Sequence, residues 1–169
     1  VKSSIVNHLR VSPETFWEKL FFDDAYNRGL HETLRFVSYE VTSLEHLPGG
    51  AIRRTLRAEP PLDVPDFLKR RLAGRIYYTE DGTYDPATAT WSFRNVPSVA
   101  PDQVYIGGTI RVRAHPQGAE HVCDLEARVS GFGFGSIIAK LLEQNTRASY
   151  QITVDYTNRY AAERGWLAS

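Results

Sequence analysis

Apolar and polar side chains alternate from the start of the chain. Ile5, Asn7, Leu9 and Val11 fall on one side of an extended backbone, and Val6, His8 and Arg10 fall on the other. A period near two predicts a strand over residues 3–11. Ser12, Pro13 and Glu14 then supply an N-cap, a proline tolerated in a first helical turn and an acid at the positive helix end. Phe16, Trp17, Leu20 and Phe21 follow at helical spacing, so a short amphipathic helix is expected, with a second one opened by Asp23 and Asp24 and ended by Gly29. From residue 34 alternation returns in LRFVSYEVTSLEHL and, after the turn Pro48-Gly49-Gly50, in AIRRTLRAE, which together read as a hairpin. Pro60 and Pro61 break it, and VPDFLKRRLAG carries helical spacing at Phe67, Leu68 and Leu72 up to a stop at Gly74. RIYYTEDGTY, TATWSFRNV, QVYIGGTIRVRAH and HVCDLEARV read as further strands, the last two joined by the turn His115-Pro116-Gln117-Gly118. From Ser136 to about Arg164 neither Pro nor Gly occurs. This predicts one helix of about 29 residues, roughly 43 Å long. Ile138, Leu141, Leu142, Ile152, Tyr156 and Tyr160 lie near one of its faces, with Asn145 and Ser149 interrupting the stripe.

A strand, two short helices, about six consecutive strands and a long C-terminal helix make an α+β order, since a parallel sheet would need alternating βαβ units. The expectation is one domain over residues 1–169. In it, a curved antiparallel sheet of about seven strands carries the long helix on one face, with two short helices after strand 1. Cys123, Leu125, Ala127 and Val129 would then face the helix, and Asp124, Glu126 and Arg128 the solvent.

Composition narrows the function. The 169 residues are 42% hydrophobic and 24% charged, enough for a packed core. Twenty basic side chains balance twenty acidic ones, which removes the charge signature of a nucleic-acid partner. No apolar run reaches the ~18 residues of a membrane span. Cys123 is the single cysteine, so an internal disulfide and a cysteine-rich zinc site are excluded. Its thiol, and an opening VKSSIVNHLRV without the apolar stretch of a signal peptide, make the cytoplasm the expected compartment. No methionine occurs, so a leader ahead of Val1 stays open. The five histidines show no metal-ligand spacing, and neither metal nor cofactor is expected. The GFGFG run at 131–135 lacks the parallel βαβ unit of a dinucleotide site. As an entrance loop it would let Phe132 and Phe134 touch a membrane transiently or gate a pocket; buried, they would close the end of the core.

The order of elements resembles the START-like superfamily, also called SRPBCC or polyketide-cyclase-like. VPDFLKRRLAGRIYYTEDGTY at 64–84 and the helix ending NRYAAERG resemble a bacterial branch of it and, more distantly, the PRELI-type lipid-transfer proteins. The resemblance implies a helix-grip fold with an elongated cavity between helix and sheet for a lipid, sterol, polyketide or other largely apolar molecule. It implies no catalytic signature.

Small residues on facing elements, Gly107, Gly108, Ala127 and Ser149, either widen such a space or let aromatic rings interdigitate and fill it. Ile52, Arg54 and Leu56 share one strand face. An inward Arg54 requires Glu40, Glu80 or the acidic head of a ligand, unless it reaches solvent at the sheet rim. Tyr78, Glu80 and Tyr84 on one strand, and Trp91, Phe93 and Asn95 on the next, offer aromatic walls with a few polar tips, or simply cross-strand pairs. On the long helix Asn145 and Ser149 can hydrogen-bond a ligand, with Ile152 as an apolar contact. The candidate ligand-binding set is therefore Arg54, Tyr78, Glu80, Trp91, Phe93, Asn145, Ser149 and Ile152, and no catalytic residue is assigned. The first reading is a non-enzymatic carrier or sensor of a hydrophobic small molecule. The second is a cyclase or hydrolase in which Glu80 works with Tyr78 or His8. The third is an interaction module with a filled core. An enzyme needs at least two titratable groups converging in the cavity, whereas a carrier needs an apolar wall and one anchor.

Overall fold

The computed structural model describes residues 1–61, 65–71, 75–131, 133 and 135–169, apart from the side chains of Leu68 and Arg71. Its seven strands are β1 (Lys2–Leu9), β2 (Ser38–His46), β3 (Ile52–Glu59), β4 (Tyr78–Asp85), β5 (Thr90–Pro97), β6 (Val104–His115) and β7 (Gly118–Val129). They form one antiparallel sheet in the order β1-β7-β6-β5-β4-β3-β2. The two edge strands are neighbours in sequence, so the chain between them must cross the width of the sheet. The helices α1 (Pro13–Thr15) and α2 (Asp24–Thr33) make that crossing. Helix α3 (Asp66–Arg71) lies between β3 and β4 in sequence, and α4 (Gly135–Glu163) packs on β7, β1 and α2. The predicted helix stop at Leu72 and Gly74 falls outside the described residues.

The period-two pattern decides which face is covered. Ile5, Leu9, Leu56, Trp91, Cys123 and Leu125 are buried, while their strand neighbours Val6, His8, Arg53, Arg57 and Arg94 are exposed. Two local features differ from the expected pattern. Helix α1 starts as expected, with the Thr15 N–H donating to Ser12 Oγ at 3.1 Å, but it runs into a wide turn, Phe16–Leu20. There the Phe21 N–H donates to the Phe16 carbonyl five residues back, at 2.9 Å. Widening the turn buries Phe16, Trp17 and Leu20 together.

Helix α2 does not end at Gly29 but continues to Thr33. A β-carbon at Gly29 would overlap the Tyr156 hydroxyl, so this glycine lets α2 and α4 approach closely instead of stopping the helix. Gly82 on β4 plays the same part toward Trp91, whose indole occupies the space of a β-carbon there and is 1% exposed. Gly82→Ala is therefore expected to lose about 1–3 kcal/mol in urea unfolding. A variant as stable as the wild type would mean that the indole has room to move.

Candidate functional site

Part of the space under α4 is filled by rings. Trp17 lies 4.6 Å from Tyr84 between centroids, Phe21 lies 5.2 Å from Trp91 and Phe22 5.8 Å from Trp91, in tilted or edge-to-face arrangements. Beyond this cluster a cavity of about 390 Å³ remains between α4, α2 and the sheet, within the size range of small-molecule sites. Leu56, Phe93, Ile106 and Leu125 wall it from the sheet, and Leu30 and Leu142 from the helices. Of the expected set, Arg54, Tyr78, Glu80, Trp91, Phe93, Asn145 and Ser149 border the cavity. Ile152 does not, and is 43% exposed.

The correction at Ile152 follows from helix geometry. Thr153 and Val154 border the cavity, and one residue back turns the side chain by roughly 100°. The face of α4 that meets the cavity is in fact rich in hydroxyls. Thr146, Ser149, Thr153 and Thr157 each donate to the carbonyl four residues earlier, at 2.9, 2.9, 2.9 and 2.6 Å. Their donors are spent on the helix itself, so this wall presents methyl groups and acceptor lone pairs. Tyr26 reads the same way: with the Thr157 hydrogen already committed, its hydroxyl donates to Thr157 Oγ1 at 2.7 Å.

Arg54 is 5% exposed and has found a partner within the sheet. Its Nη2 lies 3.5 Å from Glu80 Oε1, and its Nη1 donates to the Phe21 carbonyl at 2.8 Å. The Phe21 and Trp91 rings cover the guanidinium at 4.6 and 4.9 Å. Glu40, the other candidate partner, is exposed. Burial pushes the Glu80 carboxyl above its ordinary value, and Arg54 and a hydrogen bond from Trp91 oppose the rise. Burial also raises the Tyr78 hydroxyl, with the Glu80 charge adding to it.

Two histidines that the sequence reading passed over complete the polar lining. His31 stacks on Tyr39 at 3.8 Å and shares a 2.7 Å hydrogen bond with the Asn27 carbonyl, which requires the proton on Nδ1. Burial lowers its pKa to about 4, against that carbonyl and with help from Arg54. His121, 5% exposed, is lowered to about 4 by burial as well. Both are neutral imidazoles at neutral pH. The Cys123 thiol is pushed up to about 11 by burial, against a hydrogen bond with Tyr150, and stays protonated. His8, a candidate base, belongs to the opposite face: it is exposed and lies 3.9 Å from Glu120. Gly107 and Gly108 do not widen the cavity either. They line a separate hollow with Lys2, Tyr105 and Glu126, and a β-carbon on Gly108 would overlap the Asp124 carbonyl of the adjoining strand.

Five buried polar atoms on the cavity lining have no hydrogen-bond partner among the described residues: Asn7 Nδ2, Tyr39 Oη, Arg54 Nε, Asn95 Oδ1 and His121 Nδ1. Asn7 and His121 were within reach of the sequence pattern, because they share parity with Ile5 and Leu9 and with Cys123 and Leu125. His31 and Tyr39 were not, since their meeting depends on how α2 lies over the edge strand. Phe132 and Phe134, the proposed membrane contacts, fall outside the described residues. Among the described residues no cluster of His, Cys, Asp and Glu is placed to hold a metal ion, and no described helix is long and apolar enough to cross a membrane.

Residues 5–161 match the model of a family described as Protein of unknown function (DUF2505). No curated protein matches the sequence. Similar solved structures include TTHA0849 from Thermus thermophilus, at 14% identity over 97% of this chain and 99% of that one, with a TM-score of 0.67. The Zhui aromatase/cyclase from Streptomyces sp. R1128 is 14% identical over 97% of this chain and 93% of its own, with a TM-score of 0.60. Ara h 8.0201 is 12% identical over 93% and 97%, with a TM-score of 0.63. Identities this low carry the fold and no activity. That fold is the START-like, polyketide-cyclase-like helix grip: a seven-stranded antiparallel sheet around a long C-terminal helix, with short helices after the first strand.

Proposed function

We propose, for a chain that belongs to the DUF2505 family, that the cavity between α4 and the sheet binds one largely apolar small molecule of lipid, sterol or polyketide type, and that the protein acts as its carrier or sensor. The observation that carries this reading is the cavity of about 390 Å³ left beyond the ring cluster, walled by aliphatic and aromatic side chains with a few polar groups among them. Burial of apolar ligand surface, at about 25 cal/mol per Å², would supply the affinity. Arg54 and the nearby tyrosines would orient the polar part. An interaction module with a filled core has no use for such a space. The ring cluster of Trp17, Phe21, Phe22, Tyr84 and Trp91 fills only part of it, and the remainder is what a guest requires.

A second reading is favoured by one specific observation. Arg54, Glu80, Tyr39, Tyr78 and His31 converge on one region of the cavity, so the titratable groups an enzyme needs are not lacking. In that reading Glu80, whose carboxyl is raised by burial, passes a proton to the bound molecule beside Tyr78. The likeness to the Zhui aromatase/cyclase lends it analogy only. Native mass spectrometry of protein purified from its own host, followed by organic extraction, tests both. The expected result is a single non-covalent mass increment that extraction releases as an apolar molecule. Protein that stays free of ligand, and takes up no apolar probe, overturns the binding function. An extracted molecule that the protein converts on re-addition marks the enzyme, and one returned unchanged marks the carrier.

A further inference from the structure

We infer that the occupant of this cavity is an uncharged molecule whose polar groups are hydroxyls or carbonyls, and that the site discriminates against a carboxylate or phosphate of the same shape. This rests on the proposed binding function and names the ligand class. Among the described residues that line the cavity, Arg54 and Glu80 form an ion pair, one basic and one acidic side chain, while His31 and His121 are neutral. An anionic group within reach of Arg54 is also within reach of Glu80, whose Oε1 is 3.5 Å from Arg54 Nη2. Attraction and repulsion then nearly cancel, and the cost of stripping water from the anion stays uncompensated.

The geometry of the guanidinium points the same way. An anion is gripped best by two parallel N–H groups of the arginine fork. Here Nη2 faces Glu80, Nη1 donates to the Phe21 carbonyl, and the Phe21, Phe22 and Trp91 rings lie over the guanidinium. Nε is the guanidinium nitrogen left without a partner among the described residues, and its N–H suits one carbonyl or hydroxyl oxygen. The other unpartnered atoms on the lining belong to uncharged groups: the Asn95 carbonyl oxygen, the Tyr39 hydroxyl, the Asn7 amide nitrogen and His121 Nδ1. Asn95 pairs with Glu80 across strands, which sets an acceptor for a ligand hydroxyl beside the charged pair.

The test uses two probes of one shape, anthracenemethanol and anthracenecarboxylate substituted at the same ring position, titrated near neutral pH by tryptophan fluorescence and calorimetry. The wild-type protein is expected to bind the alcohol at least about tenfold more tightly. Glu80→Gln keeps the shape and removes the negative charge, so the preference for the alcohol over the carboxylate should shrink by at least about tenfold. An Arg54→Gln/Glu80→Gln double variant should return to preferring the alcohol; with the wild-type comparison it carries the test if Glu80→Gln does not fold. Wild-type protein that binds the carboxylate as tightly as the alcohol overturns the inference and leaves the binding function standing. Failure to bind either probe removes both.

Discussion

Glu80→Leu is expected to cost about 3–5 kcal/mol of folding stability, Arg54→Leu somewhat less, and the Arg54→Leu/Glu80→Leu double variant close to nothing, all read from urea unfolding near neutral pH. The ordering follows from what each substitution leaves behind. Arg54 is buried, and arginine does not give up its proton. Without Glu80 it keeps the Phe21 carbonyl and the faces of Phe21, Phe22 and Trp91 to compensate a full charge. Glu80 has an escape that Arg54 lacks. Burial already holds its carboxyl above the ordinary range, and Arg54 is one of the groups opposing that rise. With Arg54 gone, Glu80 takes up a proton and becomes a neutral hydrogen-bonding group. The cost of Arg54→Leu should accordingly shrink as the pH is lowered toward about 5, where protonation comes more cheaply. Removing both partners replaces a desolvated pair with leucines that pack against the same rings, an exchange known to be nearly neutral or favourable. Single costs that simply add in the double variant would show that the two groups do not share a site.

This pair also marks how far the sequence could be read. Parity with Ile52 and Leu56 turned Arg54 inward, and Glu80 stood among its possible partners. The choice between Glu40 and Glu80 needed the β3–β4 register, in which Arg54 lies opposite Gly82 and Leu56 opposite Glu80. That register is a property of two strands and does not appear in either one. Strands and hairpins were legible because one face of the sheet is covered and much of the other is not, so alternation recurs along strands such as β1 and β5. The long helix was legible from the absence of Gly and Pro, but its cavity face was not. That face is lined with Thr and Ser whose hydroxyls bond back to the helix, and a search for apolar spacing passes over it and selects Ile152. Gly29 misled for a related reason: a glycine in a helix reads locally as a stop, whereas its cause lies at Tyr156, far away in the chain.

Stability should fall steeply between about pH 6.5 and pH 4, by about 3 kcal/mol for each of His31 and His121. Both imidazoles are held at a pKa of about 4 in the folded protein, from an ordinary value of 6.5, mainly because burial penalises the charged form. In this window the unfolded chain binds two protons that the folded chain refuses, so unfolding is favoured as the pH drops; above 6.5 neither state is protonated and the effect vanishes. Other groups do not mimic this. The carboxylates of Asp81 and Asp124 are lowered by their hydrogen bonds to Arg53, and to Ser4 and Arg111. Their stabilisation is therefore lost only at still lower pH. Glu80, raised by burial, acts in the opposite sense and recovers stability as it protonates, which blunts the fall. Urea unfolding of the wild type, His31→Gln and His121→Phe at about pH 5 and about pH 7.5 separates the contributions. Each variant should flatten the difference between the two conditions by a large part of one histidine's share, whatever its own cost at neutral pH. Imidazole proton shifts followed by NMR should show both rings neutral down to about pH 4. Rings that titrate near 6.5, or variants as acid-sensitive as the parent, would mean that water reaches His31 and His121 freely through the cavity they line.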